Sequence, residues 1–153
     1  MASFLSGTMM LVSVIVSLFL YVLVHIPVYL LYKRWGYDKA WMAFFVFLHP
    51  YAISELSEVD GTGQTSILGI IVPRRLLGII LCIVNFLPFI GHSYGFLVSL
   101  IVDVFLFGTL FRDMYAKMDN KPVDSTRLLG VLSGLLYIIY WFKCFIWFSS
   151  NNR

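Results

Sequence analysis

The chain has 153 residues, of which 60% are apolar and only 12% charged, with a mean hydropathy of +0.88 and a formal net charge of +3. A typical soluble domain is about half apolar and about a quarter charged, so an ordinary water-soluble globule is excluded. So is a nucleic-acid surface, which needs a basic stripe on a soluble face. Nine of the eleven Lys and Arg fall in three places: Lys33, Arg34 and Lys39; Arg74 and Arg75; Arg112, Lys117, Lys121 and Arg127. Basic residues set beside apolar runs act as topology signals or contact anionic headgroups. The predicted fold is therefore all-α and integral to the membrane: a single domain over residues 1–153, a four-helix transmembrane bundle with one short interfacial or re-entrant helix.

The first predicted span is 9–31, about 34 Å long as a helix, enough for a hydrocarbon core of about 30 Å. It exceeds the apolar region of a cleaved signal peptide, and no small-residue cleavage site closes it, so it is expected to be retained. His25 and Pro27 interrupt its end, and an interfacial band of Tyr29, Tyr32, Lys33, Arg34, Trp35 and Tyr37 follows. The run 40–53, which holds His49 and Pro50, is too short to span and is expected to be interfacial or re-entrant. After a polar loop from Glu55 to Ser66 and a brief apolar piece, Ile67–Val72, the next expected spans are 76–90 and 95–111. The Gly91-His92-Ser93-Tyr94 turn joins them. A charged loop, Arg112–Arg127, leads to the last expected span, 128–148.

If 40–53 crossed the bilayer, the basic cluster at 33–39 would face the opposite side from the other two. If it does not cross, all three share one face, as the excess of Lys and Arg in cytoplasmic loops requires. Both termini are then expected outside and the basic loops in the cytoplasm.

Three polar residues fall at similar depth in this threading: Asn85, Asp103 and Lys143. An isolated Asp or Lys at the bilayer centre costs roughly 2.5–3.5 kcal/mol on insertion scales. They are expected to form one layer in which Asp103 and Lys143 relieve each other. The layer is either a site for an ion, proton or polar ligand or, the reading favoured, a structural pair that fixes helix register. Gly130 and Gly134 form a GxxxG motif that permits close helix packing, within one protomer or between two, and Ser13 and Ser17 offer a similar face on the first helix. His25, His49 and His92 have no metal-ligand spacing, and Cys82 and Cys144 fit neither a disulfide framework nor a zinc site. No catalytic motif is present, so neither a metal nor a cofactor is expected. The expected role is that of a non-enzymatic accessory protein acting on lipid, another membrane protein or a second copy of itself. The alternative is a small transporter, channel or immunity-type protein that uses the Asn85, Asp103 and Lys143 layer.

The stretch Tyr32-Lys33-Arg34-Trp35-Gly36-Tyr37-Asp38-Lys39-Ala40-Trp41, followed by Pro50-Tyr51, resembles a family of small bacterial multi-pass membrane proteins of unknown function. That family has a basic residue, a Gly, then a Trp opening a short apolar segment with Pro and Tyr. The resemblance covers roughly residues 29–115, with Pro50 further from Trp41 than the pattern has it. It implies architecture and bacterial origin, and no activity.

Overall fold

The computed structural model describes residues 2–59, 61–86 and 93–150, with side chains from residue 9 onward except at 93–96. It is mostly helical. Helix α1 (Ala2–Arg34) is followed by a 3₁₀ turn (Ala40–Phe44) and α2 (His49–Leu56). A β-hairpin pairs β1 (Gln64–Ile67) with β2 (Ile70–Pro73), and α3 (Arg74–Val84) leaves it directly. Helix α4 (Ser93–Val102), a π-helical turn (Asp103–Phe107) and α5 (Gly108–Asp119) then run on without a break. A 3₁₀ turn (Val123–Thr126), α6 (Arg127–Leu135) and α7 (Ile138–Ser150) complete the described chain.

Only α1 among the described helices is long and apolar enough to cross a membrane, over Met9–Arg34 at a mean hydropathy of 2.5. Its residues from Met9 to Leu20 are all exposed and pack on nothing described. Pro27 is tolerated inside it. The four-span bundle expected from the sequence is not what the structure shows. Helix α3 covers about 16 Å, half a hydrocarbon core, and residues 87–90 of the expected second span lie outside the described residues.

The three basic clusters converge on one end of the molecule. Lys117 Nζ lies 4.7 Å from the centre of the Trp35 ring, and Arg34 stacks 5.4 Å from that of Trp147. Glu55 accepts from Tyr37 Oη at 2.8 Å and pairs with Arg75 at 3.2 Å. Tyr37 and Glu55 bracket the segment 40–53, so this segment leaves the basic end and returns to it. In between it reaches the level of Tyr21, whose hydroxyl donates to the Phe44 carbonyl at 3.0 Å. Burial and the adjacent Glu55 carboxylate push the Tyr37 hydroxyl above the usual tyrosine range, and burial lowers the Lys117 ammonium.

The last expected span, 128–148, is a second such excursion. Helix α6 runs antiparallel to α5, with Gly130 against Gly108 and Arg112, and Gly134 against the Asp103 and Val104 carbonyls. The helix breaks at Leu136, whose backbone is extended (φ −122°, ψ 86°). Helix α7 then runs back beside α5 and α1: Tyr137 touches Phe107, Tyr140 stacks on Phe111, and Trp147 donates to the Met118 carbonyl at 2.7 Å. Trp147 thus lies at the basic end and not at an exit on the far side, which corrects the threading expected for the C-terminal segment. The break follows from packing: a straight helix would carry Tyr140 and Trp147 away from the partners they fill. Both glycines of the GxxxG motif are used inside the protomer, while Ser13 and Ser17 lie on the exposed part of α1.

The hairpin was legible only as a polar loop and an apolar piece. Its two-residue turn places Leu68 (φ 51°) and Gly69 (φ 88°) both in the left-handed region, as a type I′ hairpin turn requires. Its base is tied to α5 by ions. Asp113, 1% exposed, takes Arg74 at 2.7 Å and Arg112 at 2.7 Å, and the Thr65 hydroxyl donates to it at 2.7 Å. Arg74 also donates to the Ser57 carbonyl at 2.8 Å, so one guanidinium joins α2, α3 and α5.

Candidate functional site

At the inner limit of these excursions, about 16 Å from the basic end along α5, lies a cavity of about 320 Å³. Its polar lining is Tyr21 and His25 from α1, His49 from α2, Asn85 at the end of α3, Asp103 on the π turn, Tyr137 between α6 and α7, and Trp141 on α7. Each reaches it for a local reason. The Gly134 backbone approaches the Asp103 and Val104 carbonyls so closely that a Cβ there would sit 3.0 Å from each. The π turn occurs where α6 makes this approach, and such turns are frequent at functional sites. His49 opens α2 with Pro50 in its first turn, which needs no backbone donor.

The histidine tautomers follow from their partners. His25 Nδ1 lies 2.7 Å from the Tyr21 carbonyl and His49 Nδ1 lies 3.2 Å from that of Ala43. A carbonyl only accepts, so both rings carry the proton on Nδ1 and, when neutral, present Nε2 as an acceptor. For His49 that acceptor is 3.3 Å from Tyr32 Oη, which in turn lies 3.2 Å from Tyr140 Oη. The hydroxyls therefore donate in series, Tyr140 to Tyr32 to His49. Both imidazoles are 3% exposed, with ring centres 6.0 Å apart.

Two lining residues keep a buried polar atom without a partner among the described residues: Asp103 Oδ1 and Trp141 Nε1. The other Asp103 oxygen receives only a long hydrogen bond, 3.3 Å, from Ser99. Buried polar groups in folded proteins are nearly always paired, so an acceptor and a donor left open around one cavity call for an explanation.

The predicted polar layer is thus divided. Asn85 and Asp103 line one cavity, and Asn85 Nδ2 donates to the Leu81 carbonyl at 3.0 Å. Lys143 is elsewhere: its ammonium holds both oxygens of Asp119 at 2.7 and 2.8 Å, at the basic end. The break at Leu136 shifts the level of every residue after it, so counting depth along a straight helix put Lys143 in the wrong layer. Lys143→Met should lower stability by about 1–3 kcal/mol, between the values for an exposed and a buried ion pair, since the two side chains are only 23% and 20% exposed. It should leave any ligand binding in the cavity unchanged. A loss of binding in that variant, measured by titration, would return Lys143 to the site.

From the sequence His25 and His49 read as interfacial residues or, less readily, as metal ligands, and Tyr21 and Trp141 carry no signal of a site. The structure brings the two histidines together, but no group of three or more His, Cys, Asp or Glu suited to a metal occurs among the described residues. His92 lies outside them. The available signal was His25 two residues before Pro27, a polar residue inside a long apolar helix. Comparison with models of protein families, with curated proteins and with solved structures gave no match.

Proposed function

We propose that this is an integral membrane protein without a catalytic centre that works by binding a polar group in the Asp103–Trp141 cavity. Helix α1 anchors it, and the remaining elements enter the bilayer from the basic, cytoplasmic side and stop near mid-depth. Exposed apolar side chains on α1, α3 and α7, among them Phe19, Ile83, Phe142 and Phe145, give this embedded part a lipid-facing surface. The observation that carries the reading is the pair of open buried atoms, Asp103 Oδ1 and Trp141 Nε1, around one cavity. A purely structural polar pair would have closed on itself. An accessory role follows naturally: the bound group comes from a lipid or from a molecule handed to a membrane partner. The transporter reading is weakened because Lys143 and Asp103 do not face each other.

Native mass spectrometry of the full chain, released from nanodiscs, tests this. The protein should carry a bound species that Leu100→Trp, which fills the cavity, displaces while the unfolding midpoint stays within a few degrees. Val46→Trp fills it from another wall. Finding the same bound species in both variants, or none in the wild type, would remove the proposal.

A further inference from the structure

The walls of the cavity also select a chemical class, on the reading that the cavity binds a ligand. Among the described residues that line it, Asp103 is the one acidic residue and none is Lys or Arg. An anionic ligand would meet an uncompensated carboxylate there. Three ring pairs around the cavity meet nearly at right angles: His25 with Trp141 at 77° and 5.0 Å, Tyr137 with Trp141 at 87° and 5.3 Å, and Phe107 with Tyr137 at 84° and 5.8 Å. These rings form an aromatic corner in the cavity wall, and aromatic rings attract ammonium groups. The open acceptor, Asp103 Oδ1, takes an N–H or O–H donor, and beside a lone carboxylate a charged N–H donor is favoured. The open donor, Trp141 Nε1–H, requires an acceptor on the same ligand. A volume of about 320 Å³ suits a small organic group better than a bare ion.

We infer that the cavity takes an organic primary ammonium that carries an acceptor oxygen, the chemistry of an ethanolamine group. The ammonium sits among Asp103, His25 and the aromatic corner, and the oxygen accepts from Trp141. Quaternary ammonium groups, which lack N–H, bind more weakly because they cannot satisfy Asp103 Oδ1. The group arrives either as a phosphatidylethanolamine headgroup or as a free amine.

Two arms separate these sources. In phosphatidylglycerol nanodiscs the full-length protein is titrated with ethanolamine, choline or ethylene glycol, following the tryptophan fluorescence that Trp141→Phe removes. In mixed nanodiscs of phosphatidylethanolamine and phosphatidylglycerol, native mass spectrometry identifies the retained lipid. Ethanolamine binding at least tenfold tighter than ethylene glycol points to the free amine, and selective retention of phosphatidylethanolamine points to the lipid. In either arm Asp103→Asn should weaken binding at least tenfold. Equal binding of ethylene glycol and ethanolamine together with no lipid preference would overturn the inference, as would full affinity in a folded Asp103→Asn protein. The wild-type comparison needs no variant, so a folding defect in Asp103→Asn leaves the ligand class decidable. A species displaced by Leu100→Trp but indifferent to Asp103→Asn defeats this inference alone, whereas no species displaced by either defeats the proposed function with it.

Discussion

Asp113→Ala should destabilise the protein by about 3–5 kcal/mol, the usual cost of breaking a buried ion pair by removing one partner. The side chains of Arg74 and Asp113 are only 5% and 2% exposed, so the stranded guanidinium has no ready route to water. The same carboxylate holds Arg112 and accepts from Thr65, so its loss also unties the hairpin from α5. Reversible unfolding in mixed micelles measures the effect. Asp113→Leu combined with Arg74→Met should recover most of it, because a well-packed apolar pair is often as stable as a buried ion pair. An Asp113→Ala protein within 1 kcal/mol of wild type would show that this cluster does not hold the basic end together.

The second large effect is expected at the crossing of α5 and α6. A Cβ at Gly130 would stand 2.5 Å from the Gly108 carbonyl oxygen and 2.7 Å from the Arg112 backbone nitrogen. Neither is the yielding end of a flexible side chain, so the helices must move apart. Gly130→Ala is expected to cost about 1–3 kcal/mol and Gly130→Leu to prevent folding, as overpacking against backbone does. Ser13→Leu, on the exposed part of α1, serves as the comparison and should leave the unfolding midpoint unchanged. If Gly130→Leu purified as a folded protein with a wild-type midpoint, the close crossing of α5 and α6 would be wrong. Because α6 also positions the π turn, Gly130→Ala should loosen the cavity along with the fold.

Much of the architecture was legible locally. The basic and aromatic band from Tyr29 to Tyr37 marks the end of α1, because the apolar run stops where the charges begin. The shortness of 40–53 signalled a segment that returns, and Tyr37 and Glu55 do lie together at its two ends. The GxxxG motif marked a close helix contact without naming its partner, since Gly108 lies outside the motif. Asn85 and Asp103 were recognisable as costly in lipid and share a cavity. Lys143 was equally recognisable, but its partner Asp119 was not, because depth counted along a helix is lost where the helix breaks. Asp113 gave no signal, being one more charge in a polar loop until the hairpin and α3 enclose it.

The sequence by itself determined that α1 is long and apolar enough to cross a membrane, where the basic residues cluster and which polar residues would be expensive to bury. These are properties of composition and periodicity, read over one segment at a time. The tertiary structure alone decided that α6 and α7 turn back at Leu136, that Lys143 belongs to Asp119, and that two histidines, an aspartate and a tryptophan surround one cavity. The reason is that a break in a helix, and the pairing it permits, is set by which partner fills the space beside it. No segment carries that information alone.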